Sequence, residues 1–376
     1  MSAPGVLPCL YPEAAPLRSW RLPVSGAHEL QVREWGTAAG LPALVLHGGP
    51  GSGCSPLLAR FFDPARYRVI GVDQRGAGAR RPAGGTLHNT TADLLADLRR
   101  LRDALGIACW LVFGGSWGAT LALLHALDEP GAITGLLLRG VFLARDRDLA
   151  AFFEPPAWAR WQPDEGALCA ALDRVMQSGT PSEQAELARH WWRWEQSMDS
   201  APAAAEPPVE VLLRRYRVQA HYLRHRCWLD TSPLLDRIGG LPAVPLRLLH
   251  GTRNRICASE NARAGCACVS PLLEGALENS PAFGASSCSV PTSSGTRAWL
   301  ASYAPSIRRW RASAAANVCS FEQRLTKLSC TGLSLGGVSF VHAATLALRS
   351  FRPFSSQSRM QPGTDQPSPS LSSRST

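Results

Sequence analysis

The chain has 376 residues, of which 45% are hydrophobic and 18% charged, and a formal net charge of +10. That length can bury a sizeable core, and the composition excludes a wholly disordered chain. The charge is almost all arginine, with Lys327 the only lysine; it forms no stripe with interleaved aromatics, so nucleic acid is not an expected partner.

In chain order, the start "MSAPGVLPCLYPEAAPLRSW" has no basic region followed by an apolar core. It does not read as a secretory signal, and the expected location is cytoplasmic. Short apolar runs ended by Gly or Asp follow: "ALVLHG" at 43–48, "YRVIGVD" at 67–73, "CWLVFGG" at 109–115 and "ITGLLLRG" at 133–140. Runs of this kind read as buried parallel strands. Between them "TADLLADLRRLRDALG" at 91–106 repeats apolar residues at helical spacing and stops at a glycine. Alternating strand and helix predicts an α/β fold with a mostly parallel sheet. Residues 145–235 break that rhythm with Trp-rich helical text ("ARHWWRWEQSM", "VEVLLRRYRVQAHYLRHR") and read as a helical cap. The core is thus expected in two parts, 1–144 and 236–264, the second containing the strand "VPLRLLH" at 244–250.

Past 264 the text changes. Residues 1–264 contain 12 serines, whereas 265–376 contain 23, with four acidic residues and five of the eleven cysteines. Residues 265–376 read as an aberrant Ser/Arg/Cys-rich tail, largely disordered, produced either by a shifted reading frame near 264 or by a solvated extension of the domain. Its most apolar segment, "LSLGGVSFVHAATLAL" at 333–348, is shorter than the roughly 18 apolar residues of a membrane helix, so no membrane partner is expected. The closest cysteine pair, Cys266 and Cys268, has no partners at zinc-ligand spacing; no metal and no cofactor are expected.

The strongest chemical signal is "WLVFGGSWGAT" at 110–120. Gly114-x-Ser116-x-Gly118 follows a strand and opens a helix, which is the setting of a nucleophile elbow. The small flanking residues suit a turn too tight for side chains, and the Trp117 backbone N–H is a candidate oxyanion donor. A second donor is expected from "LVLHGGPGSG" at 44–53, where Gly48 and Gly49 can approach a carbonyl oxygen, with His47 shaping the loop.

With "HGGPG" at 47–51, "DQRGAG" at 73–78, "GGSWG" at 114–118 and "LRGVF" at 138–142 in order, the chain resembles the proline iminopeptidases (prolyl aminopeptidases) of the α/β-hydrolase superfamily over about residues 8–264. The resemblance implies an α/β-hydrolase fold and a cytosolic serine peptidase acting on peptides with an N-terminal proline. It matches Ser116 to the nucleophile, and Trp117 with Gly48 and Gly49 to the oxyanion hole. It matches Glu195 in "WWRWE" to a carboxylate that recognises the substrate amine. Gln219 stands where a second such glutamate is expected. Phe142 and Cys257 match the proline-ring pocket. Arg80 stands where the family has a small residue.

The triad is incomplete. In "HGTRN" the acid position is Asn254, and 275–290, "GALENSPAFGASSCSV", contain no histidine. His342 is remote, while His125, His221 and His250 fall on elements where other roles suffice. Three readings stay open: a serine aminopeptidase working through an acyl-enzyme at Ser116, a catalytically inactive relative that binds peptides or is a decayed gene product, and a general esterase. Loss of the last strand is also expected to leave an edge of the parallel sheet unpaired.

Overall fold

The computed structural model describes residues 10–78, 82–154, 156–162, 167–198, 205–242, 244–251, 254–257, 260–261, 277–280 and 285–290. Arg80, His342, Cys266, Cys268 and most of the expected tail lie outside them.

A nine-stranded sheet runs through the described residues in the order β1-β2-β4-β3-β5-β6-β7-β9-β8. The strands are β1 (Arg18–Pro23), β2 (Glu29–Gly36), β3 (Leu41–Leu46), β4 (Tyr67–Asp73), β5 (Trp110–Gly115), β6 (Ile133–Arg139), β7 (Leu246–Gly251), β8 (Leu277–Ser280) and β9 (Ala285–Val290). Its middle, β4-β3-β5-β6-β7, is parallel. All six residues of β5 are buried, as a parallel strand covered on both faces requires. β1 and β2 pair antiparallel at one end. In β2, Leu30 and Val32 point inward while Gln31 and Arg33 alternate outward, half exposed.

The unpaired edge is not what the structure shows. β9 lies antiparallel along β7, from Leu246 opposite Val290 to Gly251 opposite Ala285, and β8 pairs with β9. The backbone groups of β7 that a final parallel strand would satisfy are taken by this hairpin.

Two helices pack on the sheet: α1 (Thr91–Ala104), started by a capping box between Thr90 and Asp93, and α2 (Trp117–Asp128). Alternation along the strands divides the apolar core. Leu44, Leu46, Ile70, Val72 and Val112 join α1, α2 and the later helices on one face. Ala43, Val45, Val69, Leu111 and Phe113 gather with Phe61 and Phe62 on the other.

Between β6 and β7 the described residues form five α-helices: α3 (Asp146–Phe152), α4 (Leu168–Ser178), α5 (Pro181–Met198), α6 (Val209–Arg224) and the short α7 (Leu234–Arg237). Trp191 of α5 sits among Phe153, Trp158 and Tyr216, with ring centroids 5.0–5.5 Å away. The Trp-rich text of this region is therefore an aromatic core. Among the described residues no helix is long and apolar enough to cross a membrane.

Candidate active site

β5 delivers its chain to Ser116, which has φ 55° and ψ −123° before α2 begins. A non-glycine residue held there is strained, and it is held by its surroundings. The Ser116 N–H donates to the Arg139 carbonyl at 3.0 Å, and its own carbonyl accepts from the Ala119 N–H at 2.9 Å. The flanking glycines are compelled. A Cβ on Gly114 would lie 2.2 Å from the Gly118 oxygen, and one on Gly118 would lie 2.2 Å from the Leu46 oxygen. Two backbones approach here more closely than any side chain allows.

The loop after β3 lies against this elbow: a Cβ on Gly48 would sit 3.3 Å from Ser116 Cβ and 3.9 Å from its Oγ. Gly49 has φ 115°, a conformation open to glycine. Buried His47 fixes the loop. Its Nε2 accepts from the Gln74 backbone N–H at 3.0 Å, which leaves Nδ1 as the protonated nitrogen, 2.8 Å from the Gly48 oxygen. The Gln74 side chain donates to the His47 carbonyl and accepts from Trp117 Nε1, tying the loop to the elbow. As the first residue of α2, Trp117 has a backbone N–H with no intrahelical acceptor. Arg139 lies alongside, its Nε 2.8 Å from a Cβ built on Gly115.

The acid position is occupied differently. Asn254 Oδ1 accepts from the N–H groups of Ile256 and Cys257 at 3.0 and 2.9 Å, folding the residue into its own turn. Its Nδ2 faces Gly140, 3.2 Å from a built Cβ. The turn brings Cys257 to the nucleophile, with Sγ 3.8 Å from Ser116 Oγ. Burial pushes the Cys257 thiol up to about 12, so it stays protonated at neutral pH. Among the described residues that thiol is the one side-chain partner of Ser116 Oγ. The histidines are committed elsewhere: His125 accepts from Trp110 Nε1, His221 meets the Asn89 carbonyl, and His250 Nε2 meets the Cys257 carbonyl. Phe142 is buried, its carbonyl accepting from Thr120 Oγ1.

Over the loop sits α6. A Cβ on Gly51 would meet the Arg215 carbonyl at 2.5 Å, and the Trp117 and Tyr222 rings are 5.2 Å apart. Glu195 of α5 reaches this helix and is only 7% exposed, so it is not a solvated helix-face carboxylate. Its Oε2 pairs with Arg215 and accepts from Tyr216 at 3.0 Å, while Oε1 accepts from Gln219 Nε2 at 3.1 Å. Sequence reasoning found Glu195 and Gln219 but not Arg215 and Tyr216. The available signal was the i, i+4 spacing of 215 and 219, which places both on one face of α6. No group of three or more His, Cys, Asp and Glu side chains among the described residues is placed to hold a metal ion.

An elbow serine on a parallel sheet, facing a glycine loop under a helical cover, defines an α/β hydrolase. The family model of the α/β-hydrolase fold matches residues 42–261. The chain is 36% identical to a proline iminopeptidase of Xylella fastidiosa, over 67% of this chain and 87% of that protein. It is 34% identical to one of Arabidopsis thaliana, over 66% and 70%. Among solved structures, it is similar to a proline iminopeptidase-related protein of Thermus thermophilus at 24% identity and a TM-score of 0.45, over 67% and 86%. The chain belongs to the proline iminopeptidase family of α/β hydrolases.

Proposed function

We propose that this chain is a prolyl-aminopeptidase-like hydrolase that keeps the acyl-accepting serine and the substrate-binding surfaces but has, among its described residues, no proton relay. In the intact reaction Ser116 Oγ adds to the carbonyl of an N-terminal prolyl residue. The oxyanion is held by Trp117 and the Gly48–Gly49 loop, the C–N bond breaks, and the serine proton passes through a base to the leaving amine. Water then releases proline from the acyl-enzyme. Phe142 and Cys257 would flank the ring, and Glu195 with Gln219 would meet its nitrogen.

One observation carries the proposal: the side-chain partner of Ser116 Oγ among the described residues is a thiol whose pKa is pushed up to about 12, which cannot accept a proton at neutral pH. Without a base the serine is a poor nucleophile. Loss of the base alone costs a serine hydrolase on the order of 10⁶ in turnover. The chain then serves as a binder of prolyl-type peptide ends in a soluble, cytoplasmic setting. The test is release of p-nitroaniline from L-proline p-nitroanilide by the full chain and by Ser116→Ala. Equal rates are expected, and a rate that depends on Ser116 would overturn the missing relay. Nothing in the geometry favours a general esterase.

A further inference from the structure

The buried charge on Glu195 is already answered from within the protein. Arg215 forms its ion pair, Tyr216 donates to the same oxygen, and Gln219 donates to the other. Because the Gln219 amide nitrogen must face the carboxylate, its Oε1 must face away. That oxygen is buried and accepts no hydrogen bond from the described residues, and Gln219 as a whole is 5% exposed. Arg215 Nε is also buried and makes no hydrogen bond to the described residues. This cluster lies against the oxyanion loop, since the Arg215 carbonyl and Val218 Cβ stand 2.5 and 3.1 Å from a Cβ on Gly51. On the helix that covers the oxyanion loop there is therefore, among the described residues, one buried acceptor and one buried donor without a hydrogen bond, beside an ion pair with no net charge.

An ammonium arriving here would meet a carboxylate already paired, with a guanidinium beside it. A cation next to a fixed cation in a partly desolvated site is disfavoured. An uncharged amide, which has both an N–H and a C=O, matches the open acceptor and donor.

We propose that Arg215 is a specificity-determining residue that neutralises Glu195 internally, so that the site takes a five-membered ring with an uncharged amide N–H, a 5-oxoprolyl (lactam) end, in preference to a protonated prolyl end. The inference rests on the proposed prolyl-type site over Ser116. In it the lactam N–H donates to Gln219 Oε1 and the lactam carbonyl takes the donor side of Arg215. Removing the guanidinium while keeping its stem frees the Glu195 carboxylate for a cation and reverses the preference.

The experiment is isothermal titration of the full chain with 5-oxo-L-prolinamide and with L-prolinamide at neutral pH, two ligands of nearly equal size that differ in charge. The unsubstituted chain should bind the lactam at least about tenfold more tightly. Arg215→Met should reverse the order, Arg215→Lys should preserve it, and Arg215→Met combined with Glu195→Gln should show no preference for the cation. The double variant also guards against a fold defect, because it leaves no unpaired buried charge. Tighter binding of L-prolinamide by the unsubstituted chain, or a preference unmoved by Arg215→Met, would overturn the role of Arg215 while leaving the prolyl-type site standing. Binding of neither ligand to any folded form would instead sink the site itself.

Discussion

Substituting the acid position back to a carboxylate, Asn254→Asp, isolates the missing relay. In an intact triad, an amide in place of the acid costs about 10⁴ in turnover, because the histidine is held in the wrong tautomer. Reversing that change gains 10⁴ only if a histidine is present to be held. Here Asn254 Oδ1 already accepts from the Ile256 and Cys257 N–H groups at 3.0 and 2.9 Å, and a carboxylate oxygen can accept both in the same turn. The substitution should leave the fold intact and change stability by about 1 kcal/mol or less, since charge-assisted bonds gain what the added desolvation removes. With no imidazole at Ser116 among the described residues, the expected change in kcat/KM on L-proline p-nitroanilide is under about threefold. The assay is a progress curve at high enzyme concentration, with Ser116→Ala and Ser116→Ala/Asn254→Asp as blanks. A rise of a hundredfold or more that vanishes with Ser116→Ala would refute the reasoning, because it would require a base outside the described residues.

Two other perturbations follow from buried charge. Arg75 is completely buried and makes two 2.7 Å bonds to Asp97, so Asp97→Ala should cost about 3–5 kcal/mol in urea unfolding, whereas Arg75→Met/Asp97→Leu should recover most of it. A loss under 1 kcal/mol for Asp97→Ala would show that the Ser25, His88 and Asp93 contacts to Arg75 suffice. His125 Nε2 accepts from Trp110 Nε1, and burial, with Arg102 and Arg99 nearby, lowers its pKa to about 4. Its folded pKa lies below the unfolded value of about 6.5, so the unfolded chain binds the extra proton first; stability should be full above pH 6.5 and fall by about 3 kcal/mol as pH drops toward 4. His125→Gln should flatten that dependence in urea midpoints taken at pH 7 and 4.5, and an unchanged slope would assign the acid sensitivity elsewhere.

The parts of the fold that sequence alone made legible are those where backbone geometry leaves no choice of residue. Gly114 and Gly118 are readable because another backbone fills the space of their Cβ atoms, and the strand before them is readable because every residue of it is buried. The antiparallel strands β1 and β2 escaped notice: "RSWRLP" and "ELQVREWG" alternate with charged outward residues, and their apolar runs are too broken to stand out. The site shows the same division. Ser116, Gly48 and His47 belong to local motifs, so their neighbours in sequence announce them. Arg215 and Tyr216 act on Glu195 across 20 and 21 positions of chain, from another helix, and the one local trace is the spacing of Arg215 from Gln219, which does not itself point to Glu195. Asn254 was visible as a departure, but its commitment to its own turn was not, because that depends on the path the chain takes toward Cys257.

The same topology bears on why no base stands at Ser116 among the described residues. Parallel strands β3, β5, β6 and β7 all run toward the end of the sheet where Ser116 stands, and loops that follow such strands are the ones that reach the site. β9 runs the other way, with Ala285 beside Gly251 at the site end and Val290 beside Leu246 at the far end. At roughly 3.3 Å per residue, the chain leaving Val290 departs about 17 Å from the level at which β7 ends. β8, antiparallel to β9, runs in the same sense as β7, with Ser280 opposite Ala285 at the site end. The residues that follow it, 281–284, are Pro-Ala-Phe-Gly. That stretch contains no histidine. The family model stops matching at residue 261, before either of these strands begins. The reversed strand at the edge of β7 thus lies wholly beyond the stretch that the family model matches, whereas Ser116, Asn254 and the Cys257 thiol beside the serine lie within it.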